Sequence, residues 1–200
     1  MKKLLLSFLF SSLAPVQFAN ADECMDRFKE LMMGQLERGA VKIHITQQMK
    51  GAPATKNWHY NNGEGHWMTE MIDPVDMPWS MAHENRFYSS ADQGKTWKFV
   101  SEMDDAAAKQ KAREMLEQDA ATASNASCGS EELEGTTYET VSGTHVSSVM
   151  QGAEVSHKYW VNPDDGWIAR LDSTTSGNGF EMTTSQVLEP ASDLQLPVPK

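Results

Sequence analysis

The chain lacks the signatures that mark familiar enzyme classes. There is no G-x-S-x-G elbow, no H-E-x-x-H, no P-loop and no dinucleotide glycine fingerprint. Ser, His and Asp all occur, but no spacing ties them into a catalytic set. Asp73 and Asp76 flank an apolar loop without the context that paired catalytic carboxylates need. Catalysis is therefore not expected, and neither is a cofactor. Positive charge is also scarce. Lys and Arg number 17 against 28 Asp and Glu, a formal net charge of −11. Such a chain is repelled by nucleic acid and by anionic membrane surfaces. Long hydrophobic runs are missing too. The longest, Leu4 to Leu13, falls well short of the ~20 residues that span a bilayer. Cysteine is limited to Cys24 and Cys128, with no C-x-x-C.

The one apolar run is placed where a leader would place it. Met1-Lys2-Lys3 is a positive start, Leu4–Leu13 an apolar middle, and Ala19-Asn20-Ala21 a small-x-small cleavage site. We expect a signal peptide over 1–21 and export to the periplasm. Cleavage there leaves a single domain over 22–200, enough for a full core. Loss of Lys2 and Lys3 takes the net charge from −11 to −13. Cys24 is preceded by Glu23, not the small residue a lipidation site requires, so lipidation is not expected. In an oxidising compartment the two cysteines are expected to pair. A reactive thiol or a metal ligand is the competing reading.

Periodicity sets the elements. Met25, Phe28, Leu31, Met32 and Leu36 recur at helical spacing, predicting a helix over about 23–37. Val41 to Lys50 alternates, with Val41, Ile43 and Ile45 on one side. Short strands follow at 56–60 and 66–72, then an irregular loop, Asp73–Trp79, bearing Met77 and Trp79. Met81–Ser89 reads as one strand, and Thr96–Val100 as its partner after the Asp92–Lys95 turn. Asp104–Ala121 is rich in good helix formers with a thin apolar stripe of Ala108, Ala112, Met115, Leu116 and Ala120, which predicts a largely solvated cover helix. Thr122–Glu134 reads as a Ser/Asn/Gly loop carrying Cys128. Strands at 136–141 and 145–150 are separated by Gly143. Val155–Leu188 reads as three strands joined by the turns Asn162–Gly166 and Ser176–Gly179. The proline-bearing end, from Glu189, is an extended tail along the sheet surface or a frayed end.

Two residue types are over-used. Six tryptophans and 13 methionines accompany only four isoleucines, Ile43, Ile45, Ile72 and Ile168. Flexible Met with flat Trp suits an adaptable apolar groove as well as an ordinary core. Alternation and composition place Trp67, Met71 and Trp97 toward one apolar face of the sheet, with Met77 and Trp79 at its rim. The six histidines raise a copper reading, since imidazole and thioether suit that ion. They are dispersed one per strand, and the single M-x-x-M, Met68 to Met71, is not repeated into an array, nor is there an H-x-H.

Several stretches carry a family resemblance. They are the N-terminal helix, Val41–Gln48, Phe87-Tyr88-Ser89 with Asp92–Trp97, the hairpin Tyr159–Leu171, and the tail Leu194-Gln195-Leu196-Pro197. Together they resemble the periplasmic outer-membrane lipoprotein carrier superfamily (LolA-like). The resemblance implies an α+β fold: a curved antiparallel β-sheet, an unclosed half-barrel, with an N-terminal helix and a second helix covering the concave face. It implies a non-enzymatic carrier whose partner is an apolar ligand, a lipid or lipoprotein acyl chain. Related members act instead as envelope sensors or assembly modules through protein partners.

Overall fold

The computed structural model describes residues 20–150, 152–177 and 179–199. Most of the expected leader, and Asn178 of the Ser176–Gly179 turn, lie outside the described residues. The first helix, α1, spans Ala21–Met33. Asn20 caps it: its side chain accepts from the Glu23 amide at 2.9 Å while the Glu23 carboxylate accepts from the Asn20 amide. Asp22 and Glu23 sit in the first turn, where the helix dipole favours acids. Cleavage after Ala21 would remove that cap. Cys24, Phe28, Leu31 and Met32 form its buried stripe. The regular helix stops at Gly34, the poorest helix former in the segment, and Gly34–Glu37 tightens into a 3-10 turn. The expected helix to residue 37 is thus an α-helix and a 3-10 turn in series.

Eleven strands follow among the described residues, with a second helix between the sixth and seventh. They are β1 (Val41–Met49), β2 (Thr55–Asn61), β3 (Trp67–Asp73), β4 (Trp79–His83), β5 (Arg86–Ser90) and β6 (Lys98–Glu102). Helix α2 spans Asp105–Ala121. Then come β7 (Ser124–Leu133), β8 (Thr136–Val146), β9 (Glu154–Val161), β10 (Ile168–Gly177) and β11 (Phe180–Pro190). All join one antiparallel sheet in the order β6-β5-β4-β3-β2-β1-β11-β10-β9-β8-β7. Two meanders are therefore joined where the first strand pairs with the last, Val41 opposite Pro190 through Met49 opposite Met182.

This topology requires curvature. The two edge strands, β6 and β7, are consecutive in the chain and connected only through α2. Ten strand gaps of ~4.8 Å give a flat sheet ~48 Å wide. A 17-residue helix covers ~25 Å, and the four connecting residues add at most ~13 Å. The sheet must curl to bring its edges within reach, and α2 bridges its open side. The result is the expected α+β half-barrel, curved and unclosed. Helix α2 is capped by Asp104, whose side chain accepts from the Ala107 amide at 2.9 Å. Only Asp119 and Ala120 are buried on it, so it is the solvated cover that its thin stripe predicts.

Strand register decides which residues face the helices. Val41 and Ile43 of β1, Val141 of β8, Tyr159 and Val161 of β9, Leu171 of β10 and Leu188 of β11 pack with Phe28, Leu31, Met32 and Ala120 in one core. Phe28 is the anchor of α1. It has no exposed surface, meets Tyr159 edge-to-face at 6.0 Å, and lies flat over Gly143. A Cβ on Gly143 would come within 2.9 Å of three Phe28 ring carbons. The Cys24–Cys128 disulfide fixes the same helix to β7, with Cα atoms 5.6 Å apart.

Four expectations are corrected. Thr122–Glu134 is a strand, β7, not a loop: its polar residues pair with β8 from Leu133 opposite Thr136 to Ser124 opposite Thr144. Its exposed polar sequence is that of an edge strand. Gly143 does not break β8, which runs unbroken through Val146; its missing side chain makes room for Phe28. Met81–Ser89 is two strands joined at Glu84-Asn85, both with positive φ (50° and 59°), the backbone of a two-residue type I′ hairpin. The Asp73–Trp79 loop is shorter than expected, because β3 runs to Asp73 and β4 begins at Trp79.

The opposite, convex face has its own cover. Lys42, Tyr60, Met68, Met81 and Tyr88 form one ladder across β1 to β5. Met68 is 8% and Met81 0% exposed, although both helices lie on the other side. The tail runs along this side of the sheet. Ala191 donates to the Ala40 carbonyl at 3.0 Å, residues 190–195 flank Lys42, and the Pro197 backbone faces the His66 ring.

Candidate functional site

One recess lies between the concave face and the helices. It holds about 430 Å³. Val41 and Ile43 of β1, His59 and Asn61 of β2 and Trp67 of β3 form its floor, which strand alternation brings to one face. Gln35, Leu36 and Arg38 close it from the end of α1, and Met103, Asp105 and Ala108 from the start of α2. The Gly63–Gly65 turn forms its lip. Gly65 sits at φ +91°, and a Cβ there would approach the Asp105 carboxylate at 3.2 Å. Trp67 is held between His59, at 5.7 Å between ring centroids, and Phe87, at 6.0 Å. His59 meets the Thr69 hydroxyl at 3.1 Å, and burial lowers its pKa from the ordinary 6.5, which favours the neutral ring.

Arg38 is the unusual group. It occupies the linker between the 3-10 turn and β1, and it also lines a second recess of about 320 Å³ with Leu31, Trp167, Ile168 and Leu188. Its Nε and Nη2 are buried and have no hydrogen-bond partner. Burial lowers its pKa, partly offset by nearby Tyr159, yet a guanidinium stays charged at any physiological pH. The Tyr159 hydroxyl accepts from Gln35 Nε2 at 3.0 Å. Burial raises the Tyr159 pKa far above its ordinary value, so it stays a neutral phenol.

A third cluster lies deeper along the concave face. His145 and His157 approach at 3.2 Å between Nε2 atoms, and His145 Nδ1 lies 3.8 Å from Asp119 of α2. Asp119 also accepts from the Ser148 amide at 2.7 Å. Burial, then the neighbouring His145, pushes His157 down to about 4, against the pull of Asp119. Among the described residues no three His, Cys, Asp or Glu side chains converge as metal ligands would.

The residues singled out from sequence divide between the two faces. Trp67 is on the floor of the recess. Met71 shares its face four residues further along β3, opposite Asn57, outside the recess. Met77 is 45% exposed in the 74–78 loop. Trp79 shares the face of Met81, the convex one. It packs with Trp97 around Gly94, where a Cβ would meet the Trp79 ring at 2.9 Å and Trp97 at 3.6 Å. Trp97 thus joins Trp79 away from the recess, not Trp67 within it. Cys24 and Cys128 are joined. Val41, Ile43, Leu36, His59 and Arg38 were not anticipated as lining. The alternation of β1 carried a signal for the first two. Arg38 lies in a linker with no period, and nothing local marks it.

No protein-family model matches the chain, and no curated protein matches it. Among solved structures, that of a LolA superfamily protein from Nitrosomonas europaea aligns over 90% of this chain and 96% of its own, at 7% identity and a TM-score of 0.35.

Proposed function

We propose that this chain is a carrier-like, non-enzymatic binding protein for an apolar ligand, a lipid or a lipoprotein acyl chain, acting in the periplasm after removal of residues 1–21. One observation carries the reading: the recess under the helices, floored by Val41, Ile43 and Trp67 and roofed by Leu36, Met103 and Ala108. Its volume falls within the roughly 300–1,000 Å³ of small-molecule clefts. The roof is lightly attached, since α2 buries little of itself, which suits entry of a chain-like ligand. The Cys24–Cys128 bridge supports an oxidising compartment. The test is titration with an environment-sensitive apolar dye, read against Trp67→Ala. Saturable binding weakened by the substitution is expected; no binding, or binding indifferent to Trp67, would defeat the proposal.

A second reading, an envelope sensor or assembly module working through protein contacts, is favoured by the β6 edge. Phe99 and Val100 there are 47% and 51% exposed on a strand with a free side. Cross-linking from residue 100 in the periplasm would capture a defined partner if this reading holds.

A further inference from the structure

We propose that Arg38 is the anchor for a single carboxylate, so that the ligand of the recess is a monoanionic amphiphile of the fatty-acid type. The inference rests on the recess being an apolar-ligand site and names the ligand's head group. Within this molecule a second arginine shows what the free edge of Arg38 is built for. Arg170 grips Asp172 through Nε, at 2.9 Å to Oδ1, and through Nη2, at 2.8 Å to Oδ2. That pair of atoms is the side-on fork of a guanidinium, and it matches the two oxygens of one carboxylate. In Arg38 the same two atoms, Nε and Nη2, are the buried and unpartnered ones.

A buried charge left without a partner is costly, and charges inside proteins are ordinarily paired. Among the described residues there is no partner. The neighbouring Glu37 pairs with Arg113 at 3.4 Å, and Glu30 with Arg27 at 2.7 Å. No described carboxylate forms an ion pair with Arg38, and the residues outside the described set include no Asp or Glu. The surroundings fit the remaining part of such a ligand. Leu36, Val41, Ile43 and Trp67 line the recess on one side of Arg38, while Gln35, whose amide already bonds the Tyr159 hydroxyl, adds a polar group near the head. A fixed guanidinium beside an apolar floor favours an acid over its uncharged analogue, with Asp105 of the same lining opposing it.

The experiment compares dodecanoate with dodecanol and with dodecyl phosphate on the full exported chain, below their micelle concentrations, by calorimetry or dye displacement. Wild type should prefer dodecanoate to dodecanol by about tenfold or more, the scale of a hydrogen bond to a charged group. Arg38→Gln should erase that preference by weakening dodecanoate far more than dodecanol, and Arg38→Lys should restore only part of it, having the charge without the fork. Equal binding of acid and alcohol to wild type overturns the anchor while leaving the apolar recess standing. Binding of neither overturns both. A tenfold preference for dodecyl phosphate over dodecanoate overturns the carboxylate assignment. Equal loss of acid and alcohol in Arg38→Gln assigns the residue a structural role instead. If that variant does not fold, the wild-type comparison of acid and alcohol still decides.

Discussion

Acid should loosen this protein through one buried ring. His157 is held neutral under α1 and α2, with His145 of β8 at 3.2 Å and the Phe28 ring at 6.4 Å; among the described residues Asp119 of α2 is the opposing charge acting on it. Its folded pKa is pushed down to about 4 from the ordinary 6.5. The folded state therefore binds fewer protons than the unfolded one between those values. The stabilisation is complete above pH ~6.5 and is lost progressively as the pH falls toward 4. At ~1.4 kcal/mol per pH unit of difference, the loss is about 3 kcal/mol by pH 4. The pull of Asp119 toward the charged ring is already contained in that shift. The assay is urea unfolding at steps from pH 7.5 to 4, for wild type and His157→Gln, with the ring titration followed by NMR. The substitution should flatten the pH dependence over that window by about 2–3 kcal/mol. A His157 that titrates above 6, or identical slopes for the two proteins, would refute the reasoning.

Three further outcomes are expected. Cys24→Ser with Cys128→Ser opens a loop whose ends lie 104 residues apart, worth up to ~4.7 kcal/mol in the chain-entropy picture; scanning calorimetry should show a large drop in midpoint, and an unchanged midpoint would show that the bridge contributes nothing. Phe28→Ala should cost about 3–5 kcal/mol in urea unfolding, and Gly143→Ala should also destabilise because its methyl meets the Phe28 ring at 2.9 Å; tolerance of Gly143→Ala would mean that the helix is not seated as described. Truncation after Pro190 should lower stability and raise dye binding by uncovering Met68 and Met81; if neither changes, the tail is not their cover.

How much was legible in the sequence follows from which signals are local. The β1 alternation, the Val155–Leu188 meander and the thin stripe of α2 are periodic patterns, and each appears as an element. Where identity and structure diverge, the deciding partner is distant. Ser124–Leu133 is poor in strand-favouring residues, yet pairing with β8 and the disulfide to α1 hold it in the sheet. Gly143 reads as a breaker because nothing local reveals the Phe28 ring above it. Glu84-Asn85 lacks the glycine that flags a tight hairpin, so two short strands read as one. The same limit applies to the site. Period two placed Trp67 and Met71 on one face correctly, but Trp97 lies beyond the regular strand, where alternation gives no face. Arg38 became visible only once its unpartnered atoms could be compared with the paired ones of Arg170.

The central claim is that the recess beneath the helices holds an apolar ligand. The most direct test is mass spectrometry of the protein isolated natively from the periplasm, the compartment proposed for it, intact and after solvent extraction. A near-stoichiometric lipid or acyl species, absent or strongly reduced in Trp67→Ala, is the predicted result. A native protein that carries nothing, and that takes up no lipid when offered it, would contradict the account.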